Sequence, residues 1–275
     1  MQFQRESQAM KQLTTLLRDA GKKFTVRHGT YTTTLETDAG KRKFMTHNFA
    51  ERVFIAAKMI RRDVLQSEVA AEIMNSQHSK MNFGHREEIK PFSEKEVLNI
   101  DISSAYATTL WLSGMITEPT FNYLQSLRKE ERLPAIGMLA KSAVVFNYEG
   151  GKCTEINVSR QDTHQIFFYL IEEVNLVMQS IAWELGRHYY FHWVDGVFFS
   201  RQTPRNLVGR VEEILADRGY RFKYENVTDF QLKRNRHGLY TISMNKNGEH
   251  KVYQFHQTNN GNEIKKFLML AAQGK

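Results

Sequence analysis

The spacing of apolar residues divides the chain into a series of helices and strands. In the first part, apolar positions recur at helical spacing over 4–19, alternate as in a strand over 24–36, return over 41–46 and recur at helical spacing over 48–74. The segment 75–92 is polar and broken. We therefore predict an N-terminal helix–hairpin–helix region, of α+β type, over residues 1–80.

The second part continues with longer apolar segments. The pattern predicts helices over 104–114, 119–131, 162–186, 204–217 and 261–272, and strands over 189–200, 220–232, 238–244 and 250–256. Residues 144–158 read as a hairpin that turns at Glu149–Lys152, while Pro134 interrupts the chain and 136–146 suit either helix or strand. Strand, helix, hairpin and helix in this order predict an antiparallel sheet with helices on one face.

Composition indicates a folded protein without a membrane segment. Of 275 residues, 41% are hydrophobic and 12% aromatic, enough for a sizeable core. The single cysteine, Cys153, excludes an internal disulfide framework and suits a reducing compartment. No run approaches the length of a membrane span, and the N-terminus lacks a signal-peptide core. We expect a soluble, cytoplasmic protein that does not bind membranes.

The charge balance indicates which class of partner the protein binds. A net charge of +8 and a pI near 9.4 are typical of proteins that bind polyanions. A merely solvated basic surface gives the same balance, so the distribution matters. The densest basic stretch, Lys233–Arg236, lies between predicted strands, where its side chains can reach phosphates.

Two aspartates follow apolar strands and suggest a shared site. Asp101 comes after Val97–Ile100, and Asp195 lies between the aromatic run Tyr189–Val194 and Val197–Ser200. A carboxylate in such a place is costly to desolvate without a charge partner. Two carboxylates brought together repel each other unless a divalent cation lies between them. Paired aspartates on strands hold Mg²⁺ in two-metal transferases.

Each aspartate also has an ordinary structural interpretation. An aspartate at a strand end commonly forms a turn, and Asp195-Gly196 is a frequent hairpin dipeptide. The surrounding sequence favours the site instead, because Asp101 is followed by Ser103, Ser104 and Tyr106 on a predicted helix.

These stretches resemble the palm of family B DNA polymerases. The first palm motif of that family reads DxxSLYPS, and the segment from Asp101 to Thr108 keeps the Asp, Ser and Tyr in register. The second motif reads YxDTDS. Aligning the hydrophobic residues that follow it places Asp195 on the metal-binding second Asp and Trp193 on the first. The stretch from Lys233 to Tyr240 is similar to the family's KKxY-like basic segment.

The chain departs from the family in its length and in two motifs. The fingers motif KxxxNSxYG has no match with the right spacing, and Lys141 lies where its lysine would fall. The exonuclease signature DxE has no match in the first 80 residues. The resemblance is therefore to compact, exonuclease-less members of the protein-primed phage and mobile-element type. It implies a palm with reduced fingers over 81–203, and palm completion with a thumb-like region over 204–275.

The resemblance implies a role for each site residue. Asp101 and Asp195 would be catalytic and would bind Mg²⁺, or Mn²⁺, together with the backbone carbonyl of Ile102. The incoming deoxynucleoside triphosphate would contact the helix start at Ser103 and Ser104, the gate-like ring of Tyr106 and a cation; Lys141 is preferred over Arg128 and Arg132. A DNA primer–template would contact Lys233, Arg234, Arg236 and Tyr240.

Three hypotheses follow from the sequence. The first is an active, minimal DNA polymerase that adds deoxynucleotides to a primer end, with protein partners in a replication or mobile-element complex. The second is a palm that has lost turnover and serves as a nucleic-acid-binding or assembly subunit, which Trp193 and the missing fingers motif favour. The third, a nuclease using the same aspartates, lacks an added Glu or His constellation. Tyr106 as an ordinary core aromatic remains the alternative to the gate.

Overall fold

The computed structural model describes residues 2–29, 32–45, 49–78, 83–85, 91–234 and 239–256. Within these ranges the helices are α1 (Gln2–Asp19), α2 (Glu51–Gln66), α3 (Glu68–Met74), α4 (Ala105–Leu112), α5 (Glu118–Ser126), α6 (Lys129–Gly137), α7 (His164–Leu185) and α8 (Arg205–Asp217). The strands are β1 (Phe24–Gly29), β2 (Thr32–Thr37), β3 (Gly40–Met45), β4 (Phe83–His85), β5 (Phe92–Ile102), β6 (Ser142–Glu149), β7 (Lys152–Arg160), β8 (Tyr189–Trp193), β9 (Gly196–Ser200), β10 (Phe222–Arg234), β11 (Leu239–Lys246) and β12 (Glu249–His256). The predicted α+β class is confirmed, and the helix predicted over 261–272 lies outside the described residues.

The smaller sheet has five antiparallel strands in the order β3-β2-β1-β6-β7. One face packs against α1, where Met10, Leu13 and Leu17 meet a small core of strand residues. The single strand predicted over 24–36 is in fact two strands, β1 and β2, that pair with each other. A glycine, which strands disfavour, ends the first of them at Gly29.

This sheet combines strands that are distant in sequence. β1 pairs on one side with β2 and on the other with β6. The hairpin predicted over 144–158 is confirmed as β6 and β7, and its turn uses Gly150 and Gly151 at positive φ angles of 59° and 77°. The inserted hairpin of the predicted fingers region therefore shares a sheet with the N-terminal strands, across the boundary predicted near residue 80.

The larger sheet has seven antiparallel strands in the order β12-β11-β10-β5-β9-β8-β4. α7 and α8 cover one face, where Val174, Met178 and Val211 pack on Ile100 and Phe199. The other face is covered by residues of its own strands, including Phe191, Phe198, Phe230 and Ile242. The described helices that pack on this sheet thus lie on one face, as the order of elements predicted.

The sheet covers its second face by curling. The ring of Trp193 on β8 lies 5.5 Å from that of Tyr253 on β12, although four strands separate β8 from β12 in the sheet. A register irregularity between Thr228 and Gln231 on β10, with Asp229 at a φ of 52°, bends the strands on that side. The curl therefore brings opposite parts of the sheet together around an aromatic core.

The remaining helices form a second layer around α2. The helix predicted over 48–74 is divided at Ser67, whose extended backbone ends α2 and whose hydroxyl accepts from the Ala70 amide to begin α3. Pro134 lies inside α6 rather than ending a helix before it. α2 packs on α5 and α6, and α3 on α7. This layer places the start of α6 above the end of β5.

A buried aspartate fixes α2 to the start of α5. Asp63 accepts hydrogen bonds at one oxygen from the hydroxyls of Thr117 and Thr120, at 2.6 and 2.5 Å, and from the Thr117 amide at 2.9 Å. Its other oxygen accepts from the Arg62 guanidinium at 2.7 Å. Burial acts to raise the pKa of Asp63, but these hydrogen bonds outweigh it and lower the pKa to about 2.

We expect Asp63→Ala to lower the free energy of unfolding by at least about 2 kcal/mol, because it leaves buried donors without an acceptor. Since the pKa is depressed in the fold, the contribution is present above pH 4 and is lost as the pH falls toward 2. Urea unfolding at several pH values measures it. Asp217→Ala, at an exposed carboxylate, should change stability little. Equal stability of the Asp63 variant at neutral pH would contradict the assignment.

α7 is long and apolar enough to cross a membrane by length and composition. In the fold it is a core helix, with Ile166, Leu170, Val174, Met178 and Ile181 buried against both helical layer and sheet. This packing is consistent with a soluble protein.

Candidate active site

The end of the large sheet brings the two aspartates to one place. Asp101, on β5, lies opposite Gly196 of β9 and opposite Lys223 of β10. Asp195 lies in the turn between β8 and β9, and its carbonyl accepts a hydrogen bond of 2.8 Å from the Ile102 amide. The backbone therefore holds Asp195 beside the end of β5.

The turn that carries Asp195 is strained. Its two residues are Val194 and Asp195, not the Asp195-Gly196 pair of the ordinary hairpin interpretation. Val194 adopts a φ of 55°, a conformation that β-branched residues rarely take. Gly196 follows it, and an added Cβ there would make a tight contact of 3.3 Å with Oδ1 of Asp101. Strain of this kind concentrates at functional sites.

Both aspartates line one cleft of about 200 Å³, here called the aspartate cleft. Its other lining residues come from the end of β5, from α4 and from α6, with one from β10: Ile102, Ser103, Ser104, Ala105, Tyr106, Ala107, Lys129, Arg132, Leu133, Ile136 and Lys223. The cleft thus has carboxylates on its sheet side, and two cations and apolar groups on the α6 side.

Burial and mutual repulsion disfavour ionisation of the pair. Burial, then the charge of Asp101, raises the pKa of Asp195 to about 6, with partial offsets from Lys129 and Lys246. Burial also raises the pKa of Asp101, with Lys246 and Lys223 acting in the opposite direction. Two carboxylates with raised pKa values in one cleft are typical of a functional site.

A charged network that the sequence pattern does not indicate lies beside Asp101. The ammonium of Lys223 lies 3.6 Å from Asp101 Oδ2, and that of Lys246 lies 3.8 Å from Oδ1. Glu225 forms ion pairs with both lysines. The alternation of Lys223 and Glu225 on β10 puts them on the face of Asp101, but only the pairing register reveals the contact.

Tyr106 also lines the aspartate cleft. Its ring is half-buried and packs on Phe167 at 5.9 Å. Burial, then the charge of Asp195, raises the pKa of Tyr106 to about 12. The ring is therefore both a core contact and a wall of the cleft beside Asp195.

The helix start is less open to a ligand than predicted. The Ser103 amide donates to the Arg221 carbonyl at 2.8 Å, so it is not a free donor for a triphosphate. Ser104 lies at the N-cap of α4 with a φ of 55°, and its hydroxyl donates to Gln125 at 3.4 Å. Both residues still line the cleft.

The cations that line the aspartate cleft do not include Lys141, which the sequence analysis preferred as the triphosphate contact. Lys141 lines a different hollow, on the five-stranded sheet. Arg132, an alternative in the sequence analysis, and Lys129 line the aspartate cleft from α6. Arg132 is held by the carbonyls of Leu124 and Leu127, at 3.5 and 3.2 Å. Arg128 instead pairs with Glu131 at 3.1 Å. The sequence could not indicate this, because α6 folds back over the end of β5.

The predicted nucleic-acid residues lie at the far end of β10. Lys233 and Arg234 are exposed, and the Arg234 guanidinium lies 5.4 Å from the centre of the Tyr240 ring, which is itself buried. Arg236 lies outside the described residues. Ten residues of strand separate Lys223 from Lys233, a distance of about 33 Å. One ligand that touches both the cleft and this surface must be long.

The buried histidine on β8 belongs to the core and not to the aspartate cleft. The buried His192 hydrogen-bonds the Tyr189 hydroxyl at 2.7 Å and Asn175 Oδ1 at 2.9 Å, within the core. Among the residues that the structure describes, no group of three or more His, Cys, Asp or Glu side chains could hold a metal ion. Trp193, at the position of the family's first aspartate, packs on Phe191 and Tyr253. A metal at this site would therefore depend on two carboxylates.

Comparison of the chain with known proteins does not assign a function to this site. The chain matches no model of a known protein family. It has no significant match among curated proteins or among solved structures. The resemblance to family B DNA polymerases therefore remains a prediction from the motifs.

Proposed function

We propose that the chain is a metal-dependent nucleotidyl transferase resembling a minimal family B DNA polymerase, which adds deoxynucleotides to a primer end. The observation that carries the proposal is the composition of the aspartate cleft. Two carboxylates, the buried Asp101 and the half-buried Asp195, face the same space of about 200 Å³ as Tyr106, Lys129 and Arg132. Carboxylates for a metal, cations for a triphosphate and a ring for a sugar are the parts that this reaction needs.

The residues present fit a divalent cation. A cation between Asp101 and Asp195 would relieve the repulsion that raises the pKa of Asp195. Ile102 lines the cleft while its side chain is buried in the core, so its backbone carbonyl is the third ligand that the proposal assigns. Mg²⁺, or Mn²⁺, tolerates so few protein ligands because water completes its shell. When bound, it would neutralise charge on the transferred phosphoryl group.

The side chains of this chain bind and orient the reactants. Lys129 and Arg132 attract the triphosphate from the α6 side, and the half-buried ring of Tyr106 lies under the sugar. The 3′ oxygen of the primer forms a bond to the α-phosphorus, the bond to the pyrophosphate oxygen breaks, and the hydroxyl proton passes to water. Because the chemistry asks little beyond positioning and charge, no further side chain is required.

One observation favours a second function, a palm without turnover that binds nucleic acid. Lys223 and Lys246 already neutralise Asp101 at 3.6 and 3.8 Å. Two ammonium groups there compete with a metal ion for the same oxygens. Under this alternative, Glu225 and the two lysines form a structural ion-pair network in place of a metal site.

Nucleotide incorporation tests the proposal directly. The parent protein is expected to extend a labelled DNA primer on a template with Mg²⁺ or Mn²⁺, and primed, unprimed and protein-primed substrates should all be tried. Absence of incorporation on every substrate, with DNA binding retained, would overturn the enzyme assignment and support the binding subunit. Measured Mn²⁺ binding separates the two further, since the binding subunit needs no metal.

Tyr106→Ala is expected to raise ribonucleotide use relative to deoxynucleotide use by at least about tenfold, while deoxynucleotide incorporation largely persists. The reason is that the ring lies beside Asp195, where it would exclude a 2′-hydroxyl. Competition between the two nucleotide types measures the ratio. Tyr106→Phe is the matched control, because it keeps the ring and should keep the sugar preference. An unchanged ratio in the Ala variant would show that Tyr106 is an ordinary core residue and does not select the sugar.

A further inference from the structure

The face of the five-stranded sheet that points away from α1 carries a hollow of about 240 Å³. Its lining residues come from the end of β1, the start of β2 and the open end of the hairpin β6–β7, where β6 begins and β7 ends. They are Arg27, Gly29, Thr32, Thr34, Lys141, Ser142, Ala143, Ser159, Arg160 and Gln161. We call it the basic hollow. It is distinct from the aspartate cleft and shares no lining residue with it.

Small residues in neighbouring strands create the hollow. The strand register puts Gly29 of β1 opposite Ala143 of β6, and Ala143 opposite Ser159 of β7. Arg27 and Thr34 lie opposite each other on the same face, two residues from Gly29 along β1. Because larger side chains surround three small ones, the surface is recessed at this point.

The basic hollow is positively charged and lined with hydroxyl groups. Arg27, Lys141 and Arg160 are exposed, and none of the described residues that line the hollow is a carboxylate. In the part of the chain that the structure describes, none of these three cations forms an ion pair. The lining also includes Gln161 and four residues with hydroxyl donors: Thr32, Thr34, Ser142 and Ser159.

Two carboxylates elsewhere on this face do not line the hollow. Glu36 pairs with Lys41 at 2.9 Å, and Glu155, which accepts from Asn147 at 2.8 Å, lies four residues from Ser159 along β7. Unpaired cations around hydroxyl donors are the chemistry that binds a phosphodiester group.

We infer that the basic hollow binds a backbone phosphate of a single-stranded nucleic acid whose end reaches the aspartate cleft. The inference rests on the proposed function for the choice of polyanion. A recess of this size admits one phosphate and its sugar but not the width of a duplex. Sequence plays no part in such recognition, because the hollow offers contacts to the backbone only.

The chain connects the two places directly. α6 carries Lys129 and Arg132 into the aspartate cleft and leads through a short turn of 3₁₀ helix to Lys141 in the basic hollow. The nine residues from Arg132 to Lys141 span no more than about 18 Å in helical conformation. A single strand of a few nucleotides spans that distance. One strand can therefore occupy both.

Binding of a fluorescently labelled single-stranded oligonucleotide, measured by anisotropy without metal or nucleotide, tests the inference. The full chain carrying Arg27→Gln, Lys141→Gln and Arg160→Gln should bind at least about tenfold more weakly at low salt, and its salt dependence should be shallower by about one phosphate contact. Lys11→Gln, Lys58→Gln and Arg205→Gln remove the same charge from exposed positions outside the hollow and should have a much smaller effect.

A second pair of variants keeps the test independent of net charge. Ser159→Glu places a carboxylate in the hollow, whereas Val158→Glu places the same charge on the opposite face of β7, where Val158 is 50% exposed. Only Ser159→Glu should weaken oligonucleotide binding strongly. Equal losses in both, or equal losses in both triple variants, would overturn the inference, because they would reflect general electrostatics.

The nature of the phosphate is tested by competition. If the parent binds free pyrophosphate or a deoxynucleoside triphosphate through these three cations but not the oligonucleotide, the strand assignment is wrong. The outcome is separable from that of the proposed function. Oligonucleotide binding that depends on the hollow supports the site even if no incorporation occurs, whereas incorporation with unchanged oligonucleotide binding in the triple variant refutes the site alone.

Discussion

Asp195→Asn is expected to lower nucleotide incorporation by about 100- to 1000-fold while single-stranded and primed DNA remain bound. The substitution keeps the shape of the turn but removes one of the two carboxylates that face the cleft. Loss of a charge that acts mainly in the transition state lowers turnover more than affinity. Steady-state primer extension, with DNA binding measured separately, gives both quantities. An active Asn variant would contradict the assignment of Asp195.

The same substitution should stabilise the fold at pH 8, by about 2 to 3 kcal/mol. The pKa of Asp195 is raised from 3.8 to about 6, so between these values the folded protein holds a proton that the unfolded chain has released. The free energy of unfolding therefore falls as the pH rises through this window, and the ionised carboxylate remains destabilising above it. Asparagine avoids that loss. At pH 4 the gain should vanish.

Urea unfolding of both proteins at the two pH values measures this difference. In the same experiment, Mn²⁺ should raise the free energy of unfolding of the parent at pH 8 and leave that of the variant almost unchanged. The reason is that an ion stabilises a folded protein only if the folded protein binds it. A variant less stable than the parent at pH 8 would show that Asp195 stabilises the fold and has no need of a metal.

Removing Lys129 and Arg132 together should raise the KM for deoxynucleoside triphosphate by about 10- to 100-fold, with a smaller effect on primer affinity. Both side chains line the aspartate cleft from α6, opposite the carboxylates. Hydrogen bonds between charged partners are stronger than those between neutral groups, so losing two cations from a phosphate site has a large effect. Single-nucleotide incorporation at varied triphosphate concentration measures it.

Lys58→Ala with Arg205→Ala is the matched control for this double variant, since both residues are exposed and lie outside the cleft. Lys141→Gln decides between the two assignments of the triphosphate cation. A KM increase confined to Lys141→Gln would show that Lys141, and not Lys129 or Arg132, contacts the triphosphate.

Much of the secondary structure could be predicted because it depends on local patterns. The hairpin at Gly150-Gly151 and the long helix α7 follow from turn residues and apolar spacing. The break at Ser67 was missed because apolar spacing continues through it, and the helices are separated only by the extended backbone of Ser67 and the hydrogen bond that its hydroxyl accepts from the Ala70 amide. Periodicity reports burial and says little about a single non-helical residue.

The site was predictable only in part, for a related reason. Asp101, Asp195 and Tyr106 lie in motifs of the sequence, and they line one cleft. Lys129 and Lys223 line it from other elements, and Lys246 lies 3.8 Å from Asp101 Oδ1, through the packing of α6 and the register of β10 and β11. Each is an ordinary exposed-looking lysine in its own segment. Contacts between segments distant in sequence carry no local signal, so no pattern could have selected these three.

The assembly of the small sheet sets the order in which this chain can fold during synthesis. β1 must wait for β6, whose first residue follows the end of β1 by more than a hundred positions, before its second edge is paired. Until then the nascent chain carries a three-stranded sheet of β1, β2 and β3, in which the edge of β1 that will pair with β6 is open. Closing so long a loop slows folding, and an open edge invites pairing with another chain. Expression at low temperature, or with chaperones that shield nascent chains, should therefore improve the soluble yield.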